Sequence, residues 1–152
     1  MPIKRETPNS AIDDYIKEFL EERKQLIIKN LAYVGENCVN EARSYSGKQY
    51  KDQTGNLRSS TGYVVVSDGN IVQAGNFQQI KRGSEGTKDG ESFARQIASQ
   101  FPKGICLIVV AGMKYATNVS AKGYNVLDSA ELLADKLVPQ MLEQLGVNFN
   151  RK

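Results

Sequence analysis

Histidine is absent from the 152 residues. Its absence removes the commonest general base, the usual Ser-His-Asp and Cys-His nucleophile pairings and the commonest zinc ligand. Cysteine is scarce: Cys38 and Cys106 can form at most one bridge, and each sits in an apolar pattern where a small buried hydrophobe serves. No serine is followed by lysine three positions on, so that nucleophile arrangement is missing too. No apolar run approaches the ~18 residues that a bilayer span needs. The start, MPIKRETPNS, has basic residues with no apolar segment behind them, so neither a membrane partner nor a secretory signal is expected. Without that signal, the NVS acceptor pattern at Asn118 reads as a chance match. Excess charge is also small. A net charge of +3, with both signs mixed along the chain, is too weak to argue for nucleic acid alone.

The chain is long enough for one domain, residues 1–152, that buries roughly two thirds of its unfolded surface. Ile12, Ile16, Phe19, Leu20, Ile27, Leu31, Val34 and Cys38 recur at spacings of three and four, which predicts one long helix to about Ala42, capped by Asn9 or Ser10 after a short arm over 1–10. At about 45 Å it exceeds what a domain of this size requires. Either it breaks, near Gly35, or part of it extends beyond the domain to meet a partner.

Tyr63–Ser67 and Asn70–Ala74 predict a hairpin, with Asp68 and Gly69 supplying the positive φ angles of a two-residue turn. Residues 76–90, rich in glycine and charge, read as a long flexible loop. Gly83, Gly86 and Gly90 match neither phosphate-binding glycine pattern, so no nucleotide cofactor is expected. A short helix follows with Phe93, Ala94, Ile97 and Phe101 on one face, stopped by Pro102. The apolar run Ile105–Ala111 then predicts a central strand covered on both faces. Asp128 and Glu131 form a capping box, and Leu127 and Leu132 a staple, for a last helix whose core face is Ala130, Leu133, Ala134, Leu137, Val138, Met141 and Leu145. Pro139 should bend that helix or end its first half. Gly146 stops it, leaving a tail over 147–152. The expected fold is α+β: a small, mainly antiparallel sheet packed by a long N-terminal and a C-terminal helix.

Paired carboxylates such as Asp13/Asp14 and Glu21/Glu22 read as helix surface charge. No plausible active site, catalytic residue, metal site or small-molecule substrate emerges. Phosphate contacts from Arg58 with Tyr63, or from Lys81, Arg82, Lys88 and Arg95 around the loop, would suit a small DNA-binding or regulatory protein of a prophage. That reading lacks a recognition helix and an aromatic stacking platform.

Two segments together carry a resemblance. TGNLRSSTGYVV looks like a Thr-Gly-x-Leu-Arg-x-Ser signature followed by a strand, and VVAGMKYATNVSAKGYNVLDSAELLADKLVPQM looks like a strand, a Tyr-Ala pair, a Val, a Gly and a closing helix. The combination is similar to the tail-completion, or head-tail joining, proteins of long-tailed bacteriophages and prophages, also described as minor tail components. The resemblance implies a non-catalytic subunit that assembles in the host cytoplasm as a ring of six at the virion neck. Its partners would be itself, the connector or stopper, the terminator and the tail tube, with passing contact to genomic DNA. By position, Thr54, Gly55, Leu57, Arg58 and Ser60 match the first signature, and Tyr115, Ala116, Val119 and Gly123 the second. Asn118 stands where an aromatic residue is frequent, and Ser120 where family members often carry Glu. A tail terminator or tube-like subunit of the same machinery is the alternative.

The local reading of these residues runs beside the resemblance. Thr54 or Asn56 caps a turn, Gly55 relaxes it and Leu57 anchors it in the core, while Tyr115 is a half-buried aromatic. Arg58 has few intrachain reasons for its place, and is expected to meet a carboxylate across a subunit boundary. Lys81, Arg82 and Tyr115 complete the expected interface.

Overall fold

The computed structural model describes residues 8–44, 54–75, 77–114 and 116–146. The expected tail over 147–152, most of the expected arm, Asn76 and Tyr115 lie outside them. Helix α1 (Asn9–Ser44) runs unbroken for 36 residues. It starts one or two residues earlier than expected: the Pro8 carbonyl accepts the Ala11 and Ile12 amides, which makes Asn9 and Ser10 helical. It does not break at Gly35, because that glycine is a contact point. A Cβ there would lie 2.6 Å from the Tyr63 ring, so the missing side chain lets helix and sheet approach.

After the one-turn helix α2 (Asn56–Ser59) come β1 (Thr61–Ser67) and β2 (Asn70–Gly75). Asp68 and Gly69 turn between them with φ of 50° and 83°, the left-handed pair that the hairpin needs. The register slips between Val65 and Val66, placing Val72 in a bulge opposite them. Helix α3 (Ser84–Ala98), β3 (Ile105–Ala111), α4 (Ala116–Ala121) and α5 (Asp128–Gln144) complete the chain. The sheet is antiparallel throughout, in the order β2-β1-β3. A small α+β fold with a long N-terminal and a C-terminal helix is therefore the observed class.

The central strand is β1, not β3. All seven β1 residues are buried, with Tyr63 and Val65 facing α1 and Val64 and Val66 facing α3. Burial stabilises each of these valines by roughly 1.5–3 kcal/mol. The apolar run of β3 reports that its two faces are covered; it carries no information about lateral neighbours, and β3 lies at the sheet edge among the described residues.

Residues 84–90 belong to α3 rather than to a flexible loop, which shortens the expected loop to its first half. The glycines read as signs of flexibility are there because α3 lies against α2. The buried Gly86 has no room for a side chain: a Cβ would sit 2.7 Å from the Asn56 carbonyl carbon. Along the rest of α3, Gly90, Ala94 and Ala98 are the buried positions, whereas Phe93, and Phe101 beyond the helix end, stand exposed.

Helix α5 begins differently from expectation. Asp128 lies inside the first turn, no side chain caps from the N-cap residue Leu127, and Leu132 is 71% exposed, so the capping box and the staple are not formed. Asn125 takes the role: its Oδ1 accepts the Ser129 amide at 2.9 Å. Asn125→Ala is expected to cost about 1 kcal/mol, the usual value of such a cap. Asp128→Ala should cost only the roughly 0.3–0.5 kcal/mol of an acidic group near a helix start. Thermal denaturation of the two variants checks the order. The helix continues through Pro139 and closes at Gly146, φ 77°. Leu142, rather than Leu133, joins the core beside Ala130, Ala134, Leu137, Val138, Met141 and Leu145.

Candidate functional site

The two segments that carry the resemblance are separated by more than fifty residues and meet in space. Leu57, 1% exposed, packs with Ala116 and Val126, and Val119, Met113 and Leu127 close around them. The reason is local on each side. Gly55 holds φ of 80°, which starts the α2 turn and drops Leu57 inward. A Cβ at Gly55 would also lie 2.8 Å from the Ile80 carbonyl carbon, so the same residue meets two constraints. On the other side Ala116 opens α4 with its methyl buried, and Gly123 leaves it at φ 80°.

The small polar residues around Leu57 are hydrogen-bonded inward. Thr54 Oγ1 accepts the Asn56 amide at 3.3 Å, and the Thr54 carbonyl accepts the Arg82 amide at 3.1 Å. Asn56 Oδ1 accepts the Gly86 amide at 3.2 Å, so a side chain on α2 caps the first turn of α3. Ser59 Oγ accepts the Ile80 amide at 2.7 Å, and the Ser60 hydroxyl donates to the Leu57 carbonyl at 2.7 Å. Asn56, Ser59 and Ser60 thus satisfy backbone groups that the tight turn would otherwise bury unpaired, while Thr54 closes its exposed start.

Arg43, at the end of α1, was not singled out by its sequence context. Its Nε donates to the Arg58 carbonyl at 3.2 Å and its Nη2 to the Thr61 carbonyl at 2.8 Å, tying α1 to the turn. The signal was a basic residue in the last turn of a helix, where lone carbonyls gather, but those it reaches lie on a distant segment. Arg58 itself is half-buried and takes part in an interaction within the chain, so it has at least one intrachain reason for its place.

Lys81 and Arg82 are exposed in the turn before α3, where Lys81 adopts φ of 54°. Their backbone adjoins the start of the first segment, where the Thr54 carbonyl accepts the Arg82 amide, and neither side chain joins the Leu57 cluster. The structure therefore divides the expected residues into a bracket of buried Gly55, Leu57, Ser60 and Ala116 with half-buried Val119 against them, and exposed charges of Lys81 and Arg82. Asp128 and Glu131 lie on the first turns of α5, where Glu131 borders two surface clefts.

Two apolar surfaces were only partly visible in the sequence. The first is the start of α1. Arg23 donates to the Leu145 carbonyl, so α5, lying along α1, ends at this level. The residues before Arg23 project past α5, with Tyr15, Ile16, Phe19 and Leu20 each 48–70% exposed. The second is a groove of about 590 Å³ between α5 and β3, floored by Ile27 and Leu31 of α1. It exists because α5 packs on α1 and barely touches β3. Its residues were legible only as core positions of three separate elements.

The titratable groups inside the core are held neutral. Burial, and secondarily the Glu41 charge, raises the Cys38 thiol above its ordinary range; burial alone raises that of Cys106. Both cysteines are unbridged, which fits their reading as small hydrophobes. Burial, then the Glu36 charge and a hydrogen bond with its carboxylate, raises the Tyr63 phenol. Among the described residues no helix is long and apolar enough to cross a membrane. Comparison of the chain with family models, with curated proteins and with solved structures finds no match in any of the three.

Proposed function

We propose that the chain is a structural virion protein for tail completion or head-tail connection, which assembles in the host cytoplasm and ends in the neck of the particle. What carries the reading is the paired signature, TGNLRSS and the segment from Tyr115 to Gly123. In support, Leu57 of the first half packs against Ala116 and Val119 of the second, as one bracket rather than two chance matches. The bracket is a rigid mount: glycine, serine and arginine contacts hold α1, α2, α3 and β1 together and leave α1's first turns and the hairpin edge outward.

In this role the protein acts by assembly. Copies of the subunit join as a ring, of six by the resemblance, between the connector and the tail tube. Lys81 and Arg82 provide exposed charge for a neighbouring subunit. The second strand of the hairpin, β2, has all but its last residue exposed and offers an edge for strand addition. Closed cyclic symmetry turns a modest heterologous contact into a ring.

Electron microscopy of lysates from a phage or prophage lacking this protein tests the reading. Full heads separated from tails are the expected result. Normal virions would overturn it, and abnormally long tails would assign the chain to tail termination instead.

A further inference from the structure

We infer that the outer edge of β3, with the groove beside it, binds an extended segment of a partner protein that has alternating apolar side chains and a lysine or arginine at the end that reaches Glu131. This goes beyond the proposed function and does not depend on it.

The backbone supplies the first reason. β1 pairs with one edge of β3 along all seven residues without a slip, and no described strand lies on the other edge. The glycines that flank β3 show which way its groups point. The Gly104 carbonyl accepts the Asp68 amide, and the Gly112 amide donates to the Ser60 carbonyl, both towards β1. Alternate residues of an antiparallel pair bond to the neighbour, so Ile105, Leu107, Val109 and Ala111 turn their amides and carbonyls outward. Such a row is a template for another strand.

The groove lies along this same edge. Successive side chains of a strand point to opposite faces, yet Cys106 lines the groove together with Leu107 and Val109. A cavity touched from both faces of a strand must pass its edge. An incoming strand therefore meets main-chain partners on one side and the apolar wall of α5, with Ala134 and Leu142, on the other. A small apolar molecule would cover those amides and carbonyls without bonding them, which costs free energy. An extended peptide bonds them.

Charge fixes one end of the segment. Leu127 and Glu131 line both the groove and a second cleft of about 420 Å³, so the two adjoin. Ala111 and Asp128 also line the second cleft, which puts both carboxylates at the Ala111 end of β3. Among the described residues no basic side chain lines either cleft. The partial positive charge at the start of α5, about half a unit, offsets only part of two carboxylates. A basic residue of the partner is favoured at this end, and an acidic one is disfavoured.

Binding of synthetic peptides to the purified full chain tests this. Two blocked probes, Arg-Thr-Val-Thr-Val-Thr-Val and its reverse, cover both strand directions, and each is compared with versions that carry Gln or Glu in place of Arg. By fluorescence anisotropy one Arg probe is expected to bind about three-fold more tightly than its Gln version and about ten-fold more tightly than its Glu version, the scale of exposed ion pairs. In the double variant Asp128→Asn, Glu131→Gln, which alters two exposed positions, the Arg and Gln versions should bind alike. Ala134→Met narrows the groove from its α5 wall and should weaken the Arg probe at least five-fold. Bound probe should also slow hydrogen exchange of the Leu107 and Val109 amides at least ten-fold. Failure of both Arg probes to bind, equal binding of the Arg and Glu versions, or binding that leaves those amides unprotected would overturn the inference. Slow exchange of the same amides before any probe is added would overturn it too, because the edge would then be covered in the protein alone.

Discussion

Gly86→Ala is expected to destabilise the protein by about 3 kcal/mol, although the same exchange in an exposed helix interior stabilises by about 1 kcal/mol. The reversal follows from position. Gly86 lies in the first turn of α3 with its backbone against α2, and an added Cβ would sit 2.7 Å from the Asn56 carbonyl carbon and 2.8 Å from the Asn56 Cα. Both are backbone atoms that no rotamer change can move. Either α3 shifts outward, breaking the bond from the Gly86 amide to Asn56 Oδ1, or α2 shifts and withdraws Leu57 from its cluster. Urea denaturation measures the effect as a lower midpoint at unchanged slope. Ser92→Ala, at an exposed position of the same helix, should raise stability by a few tenths of a kcal/mol. A Gly86→Ala protein as stable as the parent would show that α2 and α3 do not approach as closely as described.

Leu57→Ala is expected to cost about 4 kcal/mol, towards the upper end for such a truncation. The range depends on whether neighbours can collapse into the space. Here they are poorly able to do so, because Ala116 is small, Val126 is short and branched, and the α2 backbone is held by Arg43 and Ser60. At about 2–4 °C per kcal/mol for a chain of this size, the melting midpoint should fall by roughly 8–16 °C. Leu57→Met, which keeps the volume, should cost less than about 1.5 kcal/mol. Amide exchange in α4 should accelerate in the alanine variant, since Ala116 and Val119 lose their anchor. A loss under about 1 kcal/mol would mean that Leu57 does not join the two segments.

The parts of the fold that were legible in the sequence are those whose cause is local. Asp68-Gly69 specifies its turn by the φ angles that two adjacent residues can adopt, and Gly146 marks a helix end in the same way. The excess length of α1 was visible from spacing alone, and so was the prospect that part of it lies outside the domain. What escaped is tertiary. Gly83, Gly86 and Gly90 look the same in a loop as in a helix pressed against a neighbour, and only the neighbour distinguishes them. The order of strands was hidden for a similar reason, because apolar side chains record what lies above and below a strand but not beside it. Asn125 and Asp128 are both acceptable caps, and the chain's approach to α5 decided between them. Of the candidate site, the bracket residues were named but read partly as interface. The groove went unnoticed because it belongs to no single segment.

Helix α1 has no break between its projecting start and the end tied down by Arg43, and that continuity makes it a lever. Its packed half, from Ile28 to Ala42, is the fulcrum, and about 28 Å of helix lies between Ile28 and Asn9. Each degree of tilt at the fulcrum therefore moves the tip by roughly 0.5 Å. The reverse also holds: a load on the tip is delivered, undiminished by any hinge, to Gly35 against the Tyr63 ring and to the Arg43 bonds at the far end. A subunit built this way registers the position of whatever holds its first turns as a torque on its own sheet.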